Sequence, residues 1–220
     1  MTSTLAYKEL RENVWIAALG LAAMLLVALG AMGYAPLPGI LGTARQPGQI
    51  PFTSDGFSYQ FGLVACGLAL ALGFRQSLGD FLGDAQLFVL QRPVNRGRVY
   101  GTKLVVGLTM YLVCGALPIA LYAAWAATPG THASPFAWSM TGGAWTAWLA
   151  MTAVYLGALL SGIRPAAWLG TRLAPLAAAG LLAGLLALPL PWLAGWLVFA
   201  VGDALLVATI VWVVLTRDFA

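Results

Sequence analysis

Long apolar segments separated by short polar stretches constrain this chain more than any other feature. A membrane-spanning helix needs about 20 predominantly apolar residues, and six segments come close to that length. They cover about residues 14–32, 58–74, 104–126, 143–163, 173–189 and 192–215. Backbone groups in lipid must be hydrogen-bonded internally, so we expect helices rather than open strands. The predicted fold class is an all-α integral membrane protein with six transmembrane helices, forming a single domain over residues 1–220.

The composition excludes a water-soluble fold. Of the 220 residues, 61% are hydrophobic and only 8% are charged, whereas soluble domains carry about 25% charged residues. The net charge of +4 does not indicate nucleic-acid binding, because the basic residues are scattered between apolar runs instead of forming one basic face.

The distribution of lysine and arginine predicts the orientation. If the N-terminus is cytoplasmic, Arg45 is the only basic residue in an outer loop. The cytoplasmic segments then hold Lys8, Arg11, Arg75, Arg92, Arg96, Arg98, Lys103, Arg164, Arg172 and Arg217. This asymmetry follows the positive-inside rule and predicts that both termini are cytoplasmic. We expect Lys8, Arg11, Arg98 and Lys103 to fix the topology and neutralise lipid headgroups.

No pattern typical of an enzyme is found. The chain lacks the glycine-rich P-loop that cradles ATP phosphates, and its seven acidic residues are dispersed. The one histidine, His132, is predicted to be solvated in an outer loop. Cys66 and Cys114 fall inside predicted spans and are interpreted as packing residues. We therefore expect no catalytic, metal or cofactor site.

The first 13 residues are predicted to form an amphipathic helix on the membrane surface that turns into the first span. Tyr7, Leu10 and Val14 share one helical face, and Lys8 and Glu12 lie at i,i+4 on another. The alternative is an ordinary charged flank of the first span.

Residues 75–103 form the longest predicted cytoplasmic connection. A helix there should end near Gln91, because Arg92 precedes Pro93 and the residue before proline disfavours the α conformation. Its polar stripe consists of Asp80, Asp84 and Gln91. Leu87 and Leu90 project beside this stripe, where exposed apolar side chains ringed by charge favour a protein partner. The alternative is that both leucines pack under another loop of the same chain.

At these residues the chain resembles the permease subunit of type-2 ABC exporters. The match consists of Leu90, Arg92, Pro93, Val94, Arg96, Lys103 and Leu104, after an amphipathic N-terminal segment and a first span. The resemblance implies a multi-pass protein of the bacterial inner membrane, with residues 1–13 as a connecting helix and a coupling helix within residues 75–103. It also implies a second permease copy or related permease, and a separate ATPase subunit that hydrolyses ATP. The residues expected to contact the ATPase are Asp80, Asp84, Leu87, Leu90, Gln91, Arg92 and Arg96.

Two other functions stay open on the sequence. An ion-coupled secondary transporter would often show matching inverted halves, and no duplication is apparent. A membrane subunit that only anchors or scaffolds a partner is the second alternative.

Asp203 is the one acidic residue within a predicted span. An intramembrane carboxylate should face the bundle interior, a partner group or water. It either holds helices together, through groups such as Thr109 or Tyr155, or lines a substrate path.

Overall fold

The computed structural model describes residues 2–34, 49–78, 96–132, 134–164, 171–186 and 191–216. The regular structure of these residues is helical throughout. The helices are α1 (Thr2–Met32), α2 (Phe57–Leu78), α3 (Arg96–Ala127), α4 (Gly142–Ile163), α5 (Ala174–Leu185) and α6 (Trp192–Thr216). A short 3₁₀ helix, Trp138–Thr141, leads directly into α4.

Five of these helices are long and apolar enough to cross a membrane, namely α1, α2, α3, α4 and α6. The chain is therefore a multi-pass membrane protein. The five corresponding predicted spans lie inside these helices or match them within a few residues.

The predicted fifth span, residues 173–189, is not found as a membrane-length helix. The 12 residues of α5 extend about 18 Å at 1.5 Å per residue, against a hydrocarbon core of about 30 Å. Pro175 occupies the first turn, where a missing N–H costs nothing, and the helix ends before Pro189. The prediction ended this span at Pro189, which breaks the apolar run, whereas the helix already ends at Leu185. Residues 187–190 lie outside the described part.

The predicted surface helix of residues 1–13 is not a separate element. Thr2–Met32 is one continuous helix of 31 residues, about 46 Å long. No glycine or proline occurs between Thr2 and Gly20 to interrupt it. If α1 crosses the membrane, it is longer than the hydrocarbon core and continues beyond it.

Small residues set the contact between α2 and α4. Gly62 faces Ala147, and Gly73 faces Ala158 with the same offset in sequence, so the two helices run parallel. A Cβ atom added at Gly73 would lie 2.7 Å from the Cβ of Ala158 and 2.7 Å from the carbonyl oxygen of Tyr155. Such close approach of backbones is how helices associate where lipid removes the hydrophobic driving force.

The remaining contacts define the two ends of the bundle. α1 runs parallel to α3, since Glu9 meets Lys103 and, further along both helices, the carbonyl of Ala17 meets Cys114. The end that holds the starts of α1 and α3 and the ends of α2 and α4 is called the basal end here. The opposite end, with the starts of α2 and α4, is called the apical end.

An aspartate organises the apical end. The carboxylate of Asp55 accepts hydrogen bonds from the backbone N–H of Phe52 at 3.1 Å and of Phe57 at 3.0 Å, and from the hydroxyl of Tyr122. The Phe57 bond satisfies one of the N–H groups that a helix start leaves without a partner. The rings of Phe52, Phe57 and Tyr122 pack against each other with centroids 4.4–5.2 Å apart.

Candidate functional site

Most residues predicted to contact an ATPase lie outside the described part of the chain. These are Asp80, Asp84, Leu87, Leu90, Gln91 and Arg92. Arg96 begins α3, and its side chain is also outside the description. The structure does describe both ends of the 75–103 connection, and these ends form the candidate site.

The two ends are joined by a reciprocal pair of hydrogen bonds. The amide Nε2 of Gln76 donates to the carbonyl oxygen of Lys103 at 3.1 Å, and Nζ of Lys103 donates to the carbonyl oxygen of Gln76 at 3.1 Å. Both residues are buried. The Gln76 carbonyl belongs to the last turn of α2, where carbonyls lack an intrahelical partner. The Lys103 ammonium supplies that partner.

Lys103 also binds α1 through an ion pair. Its Nζ lies 3.4 Å from Oε1 of Glu9, and the two side chains are only 3% and 5% exposed. Lys103 was expected to neutralise lipid headgroups, but its ammonium faces the bundle interior. By contrast, Lys8, Arg11 and Arg98 are exposed, and Lys8 pairs with Glu12 at 3.6 Å on the surface of α1. Their role at headgroups stays a prediction.

A tyrosine brings α4 into the same network. The hydroxyl of Tyr155 donates to Oε1 of Gln76 at 2.7 Å. Gly107 leaves the space for this bond, because a Cβ there would lie 2.3 Å from both oxygen atoms. We call Glu9, Gln76, Lys103 and Tyr155 the basal cluster; it contains one residue from each of α1, α2, α3 and α4.

The basal cluster is a buried polar contact between four helices. Its two opposite charges are nearly removed from water. The three hydrogen bonds described above each join two different helices. Separating a buried pair leaves an uncompensated charge, which is far more costly than separating an exposed pair. The basal cluster therefore joins both ends of the 75–103 connection to α1 and α4.

Sequence reasoning did not identify Glu9, Gln76 or Tyr155 as members of a site. One signal was present: Gln76 is an amide side chain near the end of a predominantly apolar helix. Such a residue needs a partner when it is buried. Nothing in the sequence indicated which residue would supply it.

Asp203 is placed against α4. Its Oδ2 accepts a hydrogen bond from the hydroxyl of Thr152 at 3.0 Å, so its partner is Thr152 rather than Thr109 or Tyr155. The other carboxyl oxygen, Oδ1, is buried without a hydrogen-bond partner among the described residues. Gly202 beside it packs on Leu182 of α5. Asp203 therefore lies at the junction of α4, α5 and α6.

An apolar groove of about 530 Å³ opens between α2 and α4 toward the apical end. It extends from Ser58 to Cys66 along α2, and Leu186, just after α5, lines one side. Asp203 does not line it. The groove and Asp203 are thus separate features of the described bundle.

The described residues offer no constellation for bound metal. No three side chains of histidine, cysteine, aspartate or glutamate come together among them, and Cys66 and Cys114 are free thiols. In comparisons with family models, with curated proteins and with solved structures, nothing matches the chain.

Proposed function

We propose that this chain is the membrane-spanning permease subunit of an ATP-driven exporter, and that a separate ATPase subunit docks on residues 75–103. The observation that carries the proposal is the basal cluster. It ties both ends of that connection to each other and to α1 and α4.

The mechanical requirement of such a subunit supports this proposal. An ATPase that binds a cytoplasmic loop performs work on the transport path only if the loop is firmly joined to the helices. A loose loop would absorb the displacement. Here a buried ion pair and three hydrogen bonds within 3.1 Å hold the base of the loop. The resemblance at Leu90 to Leu104 supplies the identity of the partner.

The experiment is co-purification from native membranes. The tagged chain should retain an ATPase subunit that carries a P-loop, identified by mass spectrometry. Changing Leu87 and Leu90 to aspartate should release that subunit while the variant stays in the membrane. The matched control changes Leu37 and Leu41 to aspartate, which adds the same charge to the loop predicted on the opposite face. This control should retain the ATPase.

Two outcomes would contradict the proposal. If the Leu87/Leu90 variant retained the ATPase at the wild-type ratio, the ATPase would not dock on these leucines of the 75–103 connection. Purification of an active wild-type protein without any ATPase would favour an ion-coupled transporter, and ion-gradient dependence of uptake would then be measured.

A further inference from the structure

The apolar groove between α2 and α4 lies at the depth of one lipid leaflet. α2 has 22 residues, or about 33 Å at 1.5 Å per residue, so it spans a hydrocarbon core of about 30 Å with little excess. The start of α2 therefore lies at the apical boundary of that core. The groove extends along α2 from Ser58 to Cys66, which is a depth of about 12 Å. Since one leaflet contributes about 15 Å to the core, the groove occupies most of the apical leaflet.

The shortness of α5 leaves this space beside α4. α5 packs on the basal half of α4, where the backbone N–H of Leu176 donates to Oγ of Ser161 at 3.2 Å. One turn further along, Ala179 faces Gly157. α5 ends before Leu186, which lines one side of the groove. A helix of about 18 Å in a core of about 30 Å falls short by about 12 Å, which equals the depth of the groove.

The lining of the groove is suited to a hydrocarbon chain. None of the described lining residues is charged, and most of the lining surface is apolar. Leu63 on the α2 side is 57% exposed, so that side of the groove faces out of the bundle. The volume of about 530 Å³ is within the range of pockets that bind small molecules, about 300–1,000 Å³. Because an enclosed water needs about two to four polar partners, an apolar ligand fits this lining better than water does.

The depth of the groove favours a lipid chain over a second copy of the protein. A spanning helix of a second copy extends through about 30 Å of hydrocarbon, more than twice the depth of the groove. We propose that the groove binds one acyl chain of a phospholipid from the apical leaflet. The chain lies against Leu63 and Met151, and its ester group lies beside the hydroxyl of Tyr59, which is 72% exposed near the start of α2. Because no described lining residue is charged, the site recognises the chain and not the headgroup.

The test is photo-crosslinking of the full chain in detergent micelles. Phosphatidylcholine with a diazirine near the middle of one acyl chain is added in increasing amounts, and the modified residues are identified by mass spectrometry. We expect modification to saturate with a single lipid bound and to fall on Leu63, Cys66 and Met151. Leu197 of α6 is the internal control, because it is as exposed as Leu63, 58% against 57%, and does not line the groove. Unlabelled phosphatidylglycerol should compete as well as unlabelled phosphatidylcholine does.

Two variants fill the groove with a protein side chain. Ala147→Phe adds a ring to the lining, and Gly143→Leu adds an apolar side chain at an exposed position near the start of α4. Each should weaken binding about tenfold, the equivalent of excluding about two methylene groups from the groove. The matched control Ala200→Phe adds the same ring to an exposed position of α6 outside the groove, and it should bind as the wild type does. Circular dichroism checks the helix content, and the wild-type crosslinks decide alone if a filling variant loses it.

Three results would overturn the proposal. The first is equal modification of Leu197 and Leu63, which would mean that lipid contacts the groove as it contacts any other exposed surface. The second is binding at the wild-type level by filling variants that keep their helix content. The third is the absence of saturable modification in the groove, which would assign the space to residues 187–190 or to a second copy of the chain.

Discussion

Replacing Glu9 by glutamine removes one charge from the basal cluster and keeps the size of the side chain. At the observed separation of 3.4 Å, two unit charges attract by about 5 kcal/mol at an effective dielectric constant of about 20. Removing one partner of a buried pair typically costs about 3–5 kcal/mol. We expect Glu9→Gln to lower the free energy of unfolding by about 3 kcal/mol, since Lys103 keeps its bond to Gln76.

The matched control is Glu12→Gln, the same substitution one turn further along α1. Glu12 pairs with Lys8 at 3.6 Å, but these side chains are 40% and 44% exposed. Water and side-chain entropy reduce such an i,i+4 pair to about 0.3–0.5 kcal/mol. Both variants carry the same Glu→Gln substitution, so they differ mainly in how deeply the altered ion pair is buried.

The assay is equilibrium unfolding in mixed micelles, with SDS as denaturant and far-ultraviolet circular dichroism as the signal. Adding Lys103→Met to Glu9→Gln should recover part of the lost stability, because the uncompensated charge disappears. Equal losses of stability for Glu9→Gln and Glu12→Gln would refute the reasoning. It would also be refuted if the Glu9→Gln/Lys103→Met double variant lost the sum of what Glu9→Gln and Lys103→Met each lose alone.

Three further predictions use the same titration. Gly73→Ala should cost about 1–3 kcal/mol of stability, because its Cβ would meet α4 at 2.7 Å. The control Gly67→Ala, with open space around it, should be neutral or stabilise by up to about 1 kcal/mol. Equal effects of the two substitutions would contradict the close α2–α4 contact. Tyr122→Phe should cost about 1–3 kcal/mol, since the part-buried carboxylate of Asp55 loses one of its three hydrogen-bond donors; an unchanged midpoint would show that this bond contributes nothing. Asp203→Asn should change stability by less than about 1 kcal/mol, because an amide oxygen still accepts from Thr152. Loss of transport with intact stability would assign Asp203 to a substrate path, and joint loss would assign it a structural role.

The length of the apolar runs determined most helices. α2, α4 and α6 match the predicted spans 58–74, 143–163 and 192–215, with the largest difference at the end of α2. The physical reason is general: a chain in lipid must bond its own backbone, and the bilayer thickness sets how many residues a helix needs.

Two predicted helix boundaries differ from the structure. The predicted fifth span, residues 173–189, ended at a proline, whereas α5 already finishes at Leu185. Hydropathy also divided α1 at residue 14, where polarity changes but no proline or glycine interrupts the hydrogen bonds. Polarity and helix continuity are independent properties of a sequence.

The basal cluster could be identified only from the tertiary structure. The members of the basal cluster come from four separate segments, and no spacing in the sequence pairs residue 9 with residue 103. The positive-inside rule used Lys103 as a charge at the cytoplasmic face, but it could not show whether the ammonium faced lipid or protein. That choice depends on how closely the helices approach, which glycines such as Gly73 and Gly107 permit at particular depths. Once the helices are that close, a buried lysine has to find its counter-charge inside the bundle, and Glu9 is within 3.4 Å.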